Sequence, residues 1–257
     1  MSTPHSPLQN CLLAALPGVV QNRLFPLLKL ATLPLGKVLY EPSDTLRHAY
    51  FPTDSIVSLL YTMENGSSGE IAVVGREGVV GVSLFMGGQS TSSRAIVQSA
   101  GSAYALPRKH FQNEFNRHGE MMMLLLRYTQ SLLTQMTQTA ACNRHHSIDE
   151  QMARWLLLSL DRLSGNKMKM TEQLIANMLS VSCARVTEVA GKLQKLGVIK
   201  YQRGLIEVLN RRTLEKLSCE CYAVVRNETD RLLECAPVTS PRTSPSRVTK
   251  TERQTTD

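Results

Sequence analysis

Thr171-Glu-Gln-Leu-Ile-Ala-Asn-Met-Leu-Ser-Val-Ser-Cys-Ala-Arg-Val-Thr-Glu-Val-Ala-Gly-Lys-Leu-Gln-Lys-Leu-Gly197 decides how this chain is read. Thr171 is a capping residue type, and Leu174, Ile175, Met178 and Leu179 after it share one face of a helix. Ala176 is small where a second helix must approach. Ser180-Val181-Ser182 reads as a turn, with Val181 plugging the angle and Ser182 capping a second helix. The core face of that helix is Val186, Val189, Ala190, Leu193 and Leu196, and Gly197 stops it in a left-handed conformation. Cap, turn, cap and stop follow in the order of a helix-turn-helix.

Downstream, Val198–Val208 holds two short β-like runs around Gln202-Arg203-Gly204, a hairpin placed where a wing would be. A winged helix of this kind sets its second helix in the DNA major groove. Arg185, Thr187 and Glu188 are then the candidate base readers, Arg toward guanine and Glu toward cytosine. Lys192, Lys195, Lys200 and Arg203 are candidate phosphate contacts, which add affinity without sequence information. Thr171 and Ser182 complete the candidate DNA-binding set. Arg185 and Glu188, one turn apart, can also pair with each other.

Upstream, Ser147 followed by Glu150 predicts a capping box opening a helix to about Leu163. A long helix over Arg117–Ala141 carries Met122, Leu126, Thr129, Leu133, Met136 and Ala140 at alternating spacings of four and three, the seam of a coiled coil. Met121–Leu126 is apolar nearly all round, so this helix is expected to pack on its own β domain and on a second copy. Before it, short β-like runs (Val38–Tyr40, Ser55–Met63, Glu70–Val74, Ala95–Gln98, Ala103–Leu106) alternate with turn residues, including Asn65-Gly66. They predict an antiparallel jelly-roll domain. Gln9–Leu30 has helical spacing broken by Pro17 and Pro26.

The expected fold is therefore α+β, with five segments. These are an N-terminal helical segment at 1–32, a β-roll at 33–116, a dimerisation helix at 117–143, a winged-helix domain at 144–235 and a disordered tail at 236–257, rich in Pro, Ser, Thr and basic residues.

Composition agrees with a soluble, cytoplasmic protein that meets a polyanion. The chain has 257 residues, a formal net charge of +8, 42% hydrophobic and 19% charged residues. A basic surface attracts phosphate and releases counterions. No run reaches membrane-spanning length, and the N-terminus does not read as a signal peptide. Cys11, Cys142, Cys183, Cys219, Cys221 and Cys235 are scattered, which does not suggest a disulfide framework. Cys219 and Cys221 form a Cys-x-Cys pair, too few ligands for a closed zinc site.

The order of β domain, long helix and winged helix resembles the Crp–Fnr superfamily of bacterial regulators. Leu35-Gly-Lys-Val-Leu-Tyr-Glu-Pro42 is similar to the opening of that family's sensor β-roll, and His145–Leu156 to the first helix of its DNA-binding domain. The resemblance covers roughly Leu33–Leu233 and implies a homodimer acting on DNA, with RNA polymerase as a further partner. It also implies a ligand pocket at Gly78, Gly81, Ser93 and Arg94. Here the sequence departs from the cyclic-AMP receptors of the family. A valine replaces the ribose-binding Glu, and the basic pair reads Ser93-Arg94, one strand position displaced, which turns a side chain to the other face.

Cyclic AMP is therefore not expected. Nor is an iron–sulfur cluster, since only Cys11 lies in the N-terminal region, nor haem, for which His48, His110, His118, His145 and His146 are candidates by type only. No cofactor and no metal are expected. The chain lacks a P-loop, a Gly-x-Ser-x-Gly elbow and a His-Glu-x-x-His motif, so no enzyme is expected. Two readings follow: a dimeric transcription regulator with an unidentified signal, or a ligand-binding or protein-interaction module whose winged helix no longer reads DNA. Cys183 and Ala184, in place of the family's usual Arg-Glu, motivate the second.

Overall fold

A computed structural model describes residues 5–233. The expected disordered tail lies outside the described residues. Among the described residues, no helix is long and apolar enough to cross a membrane.

Helices α1 (Cys11–Ala15) and α2 (Gly18–Leu24) open the chain. Asn10 caps α1 by accepting from the Leu12 and Leu13 N–H groups. Its amide also donates to the Pro52 and Gly78 carbonyls, both at 2.9 Å, which fastens the helices to the β domain. The helical reading of Gln9–Leu30 fails at its end. A short 3-10 turn at Phe25–Leu27 gives way to strand β1 (Lys29–Leu33), whose edge position beside a later strand the local pattern does not reveal.

The β domain continues with β2 (Val38–Tyr40), β3 (His48–Pro52), β4 (Ile56–Thr62), β5 (Ser68–Val74), β6 (Arg94–Ser99) and β7 (Gly101–Pro107). Two antiparallel sheets, β1-β7-β3 and β2-β6-β4-β5, pack face to face as the expected roll. Gly66, at φ +81°, makes the β4–β5 turn that Asn65-Gly66 announced. Phe51, Leu106 and Phe111 are fully buried in its core, Phe111 on helix α3 (Arg108–Phe115).

Helix α4 runs from Glu120 to His145, starting later than expected because His118 takes a left-handed turn (φ +57°) before the Gly119 cap. Met121, Leu124, Leu125, Tyr128 and Leu132 bury into the β-roll core. Ser147 then caps α5 (Ile148–Leu160) with the predicted capping box. Strand β8 (Lys167–Lys169), helices α6 (Glu172–Leu179) and α7 (Cys183–Lys195), and strands β9 (Ile199–Gln202) and β10 (Leu205–Val208) follow. The β8-β10-β9 sheet gives the wing a third strand. Helices α8 (Arg211–Leu217) and α9 (Cys221–Leu233) end the described chain. Helix α9 folds back along α4, and its Leu232 and Leu233 join the β-roll core.

The two halves share a buried junction. Ile56, Leu60 and Val73 of the roll pack in one cluster with Trp155, Leu156 and the helix-turn-helix core. Glu77, in the loop after β5, pairs with Arg162 at 2.7 Å, and both side chains are buried. Of the cysteines, Cys11 is disulfide-bonded, while Cys142, Cys183, Cys219 and Cys221 are free.

Candidate nucleic-acid interface

Local chemistry builds the helix-turn-helix as the residues predict. Thr171 Oγ1 accepts from the Leu174 N–H at 3.2 Å, and Ser182 Oγ accepts from the Arg185 N–H at 3.3 Å. Ser180 takes a left-handed conformation, φ +54°, that breaks α6. Thr171 and Ser182 are thus helix caps first. Val186, Val189, Ala190 and Leu193 bury one face of α7, which turns Arg185, Thr187, Glu188 and Lys192 outward. Leu196 departs from expectation. It stands at the helix cap, 63% exposed, because the chain turns at Gly197 (φ +66°) before that side chain can reach the core.

The outward face is internally paired. Glu188 holds Arg185 on one side and Lys192, at 3.2 Å, on the other. Asp149, on α5, reaches the same two cations at 3.9 Å and 3.3 Å. The Arg185 hydrogen bond, then that of Lys192, holds the Glu188 carboxyl below the usual carboxylate range. Two cations and two anions cancel, and ion pairs as exposed as these contribute little to stability. The face is therefore pre-ordered and readily exchanged for other partners. Thr187 donates to the Cys183 carbonyl at 3.0 Å and contacts Glu172. Asp149 joins this face although the local sequence marks it only by its position two residues after the Ser147 cap.

The wing turn is a tight one. Arg203 (φ +51°) and Gly204 (φ +73°) are both left-handed between paired Gln202 and Leu205, the geometry of a two-residue hairpin turn. This projects Arg203 at the wing tip. Among the described residues, Lys195, Lys200 and Arg203 form no ion pair, so their charges stand free around the paired face. The turn between α6 and α7 rests on the β-roll, where Ser180 Oγ donates to the Ser68 carbonyl at 3.1 Å. A side chain at neighbouring Gly69 would meet that hydroxyl at 2.6 Å.

The structure places the four residues proposed to line a ligand pocket as follows. Gly78 backs onto the Tyr128 ring of α4, where an added Cβ would lie 2.5 Å from it, and the Tyr128 hydroxyl donates to the Val79 carbonyl at 3.1 Å. Gly81 takes φ +111° to start a short 3-10 turn. Ser93 bonds Thr91 at 3.0 Å, and Arg94 Nε lies 3.1 Å from Glu41 as an ion pair without a hydrogen bond. One open cleft among the described residues is lined by Leu39, Tyr40, residues 44–48 and Tyr50, and includes none of the four.

Along α4, the predicted seam is uncovered in part, while Met136 packs against the β-roll core. Leu126 and Leu133 are 46% and 56% exposed, Ala140 is exposed, and Met122, Thr129 and Met136 are half-buried.

Residues 30–118 match the cyclic nucleotide-binding domain family, and residues 150–217 match the Crp-like helix-turn-helix domain family. No curated protein matches the sequence significantly. Among solved structures, FixK2 from Bradyrhizobium japonicum superposes with a TM-score of 0.62 at 16% identity, covering 75% of this chain and 98% of that one. A CRP-family transcriptional regulator from Thermus thermophilus gives 0.61 at 14% identity, covering 73% and 96%. A CooA mutant from Carboxydothermus hydrogenoformans gives 0.57 at 13%, covering 85% and 98%. At these identities the structures speak to the fold, and the family matches carry the assignment of both domains. With a cyclic nucleotide-binding domain, a long connecting helix and a Crp-like helix-turn-helix in that order, the chain belongs to the Crp–Fnr family of transcription regulators.

Proposed function

We propose that this regulator works in the cytoplasm as a homodimer on double-stranded DNA with a two-fold symmetric operator, engaging RNA polymerase there. The observation that carries the reading is the outward face of α7 beside a wing whose cations stand free. Lys195, Lys200 and Arg203 supply sequence-independent attraction to phosphates, and Arg185 is the leading base reader. The uncovered seam of α4 supports the dimer, since Leu126 and Leu133 in two copies would bury each other. Dimer symmetry then sets half-sites ~34 Å apart. Mobility-shift assays against a genomic fragment pool test the proposal. Retention of a preferred fragment is expected, and absence of any preference, with or without cell extract, would overturn it.

A signal acting on the β-roll would reach DNA through α4, because Tyr128 of that helix grips the Gly78–Val79 loop. Cyclic AMP is not that signal in our reading, since the residues near its expected place are filled or paired within the chain. Titration calorimetry with cyclic AMP should give no heat of binding.

The paired face of α7 favours a second reading, in which the winged helix binds protein and not bases. Arg185→Ala separates the two. A base reader should lose about 1–3 kcal/mol of DNA affinity and relax specificity at one position, whereas a protein-binding face should leave DNA retention unchanged.

A further inference from the structure

Cys142 and His146 sit one turn apart at the C-terminal end of α4, Cys219 lies between α8 and α9, and Cys221 opens α9. Folding α9 back along α4 brings these four side chains together. Their ligand atoms all lie within 4.8 Å of one another. Cys142 Sγ is 3.5 Å from Cys219 Sγ, and Cys221 Sγ is 3.6 Å from His146 Nδ1. A tetrahedral zinc with Zn–S near 2.3 Å has ligand–ligand edges of about 3.8 Å. The three cysteines are buried and form a cluster apart from both apolar cores. We infer that Cys142, His146, Cys219 and Cys221 form a Cys3His site for a zinc ion that staples the end of the long helix to the α8–α9 corner.

Two further features fit a metal and are not needed by bare thiols. His146 presents Nδ1 to the cluster and places Nε2 3.3 Å from the Glu220 carboxylate. A ligating imidazole is held this way, its second N–H donated to a carboxylate that fixes the ring and its tautomer. Arg154 is 5% exposed, its Nη1 lies 3.4 Å from Thr139 Oγ1, and its buried Nε has no hydrogen-bond partner. Binding Zn2+ releases the three thiol protons to solvent and leaves a core of three thiolates, a neutral imidazole and a dication. That core carries one net negative charge within electrostatic reach of the buried Arg154 guanidinium, which also faces Glu70. The sulfur-rich donor set selects zinc over the hard cations magnesium and calcium. The Cys-x-Cys pair alone falls two ligands short, and its partners lie far back along the chain.

The test uses the full chain purified without added chelator. Elemental analysis should find about one zinc per chain. Cobalt substitution should give the intense visible bands of a tetrahedral site, with sulfur-to-cobalt charge transfer. Cys142→Ser and His146→Ala should lose the metal, while His146→Cys, which restores four ligands, should keep it. Because Cys142→Ser can unfold the junction, Glu220→Gln provides the gentler variant. It should weaken zinc by about 10–100-fold in a chelator competition with an unchanged circular dichroism spectrum. Four freely titrating groups with no metal taken up, or a Cys142–Cys219 disulfide in place of metal, would overturn the inference. So would iron or copper(I) bound in preference to zinc.

Discussion

Two charged clusters in this molecule use similar side chains in opposite surroundings. On the recognition helix, Arg185, Lys192, Glu188 and Asp149 pair in water. At the junction of the two domains, Glu77 and Arg162 pair in the dry, beside a buried network of Ser58, Glu70, Gln98 and Ser159. The exposed pairs cost little to break, so an arriving phosphate or guanine can displace them. The buried pair is different, since removing one partner strands a charge out of water. The same ion-pair chemistry thus gives an exchangeable surface at one place and a latch at the other.

Breaking the latch should have the largest effect. Glu77→Ala leaves Arg162 buried without its carboxylate and should cost about 3–5 kcal/mol of stability, read as a lowered midpoint in thermal or urea unfolding. An unchanged midpoint would mean that the two domains are not held by this pair.

Acidity probes the same junction more gently. Ser58 Oγ lies 2.6 Å from Glu70 Oε2 and 2.8 Å from Gln98 Oε1. One hydroxyl carries one proton, so both contacts become hydrogen bonds when Glu70 is protonated and donates to Ser58. Burial pushes the Glu70 carboxyl up from 4.5 to about 7. Between those values the folded chain keeps a proton that the unfolded chain has lost. Stability contributed by this group is therefore full below pH 4.5 and declines as pH rises toward 7, with a slope of up to about 1.4 kcal/mol per pH unit. Glu70→Gln should flatten that slope in urea titrations run across the window, and a slope equal to that of the parent would remove Glu70 as its source.

The recognition face should give the smallest response. Asp149→Asn frees Lys192 and Arg185 from one competitor and should tighten DNA binding by no more than about 1 kcal/mol. The gain should fade at high salt, because exposed charges are screened. A loss of affinity would show that Asp149 positions the cations and does not compete for them.

The legibility of this fold in its sequence follows the range of the forces involved. The capping box at Ser147, the turn at Ser180–Ser182 and the left-handed stop at Gly197 are local, and all appear as their residue types imply. Strands β1, β3 and β8 were not anticipated. Strands β1 and β3 show little alternation, β8 alternates over only Lys167–Lys169, and pairing with β7 or β10 decides their state. The same range effect hid the thiol cluster, since Cys142 and Cys219 are 77 residues apart and meet only when α9 turns back. On α4 the apolar pattern is local; one stripe packs on the β-roll, and Leu126 and Leu133 on the other are exposed. The pocket residues Gly78, Gly81, Ser93 and Arg94 rest on resemblance, and no local signal marks Gly78 as lying against Tyr128 or Arg94 as lying beside Glu41.

The contact between Gly78 and Tyr128 has a consequence for how this branch of the family can change. A side chain at position 78 has no room while the ring lies against it, and a smaller residue at 128 would open a hole behind the loop and leave the Val79 carbonyl without its donor. Neither position can drift alone without damage. The two should therefore vary as a pair across related sequences, glycine with tyrosine or a larger residue with a smaller one, giving an inherited signature of which relatives press their long helix onto this loop.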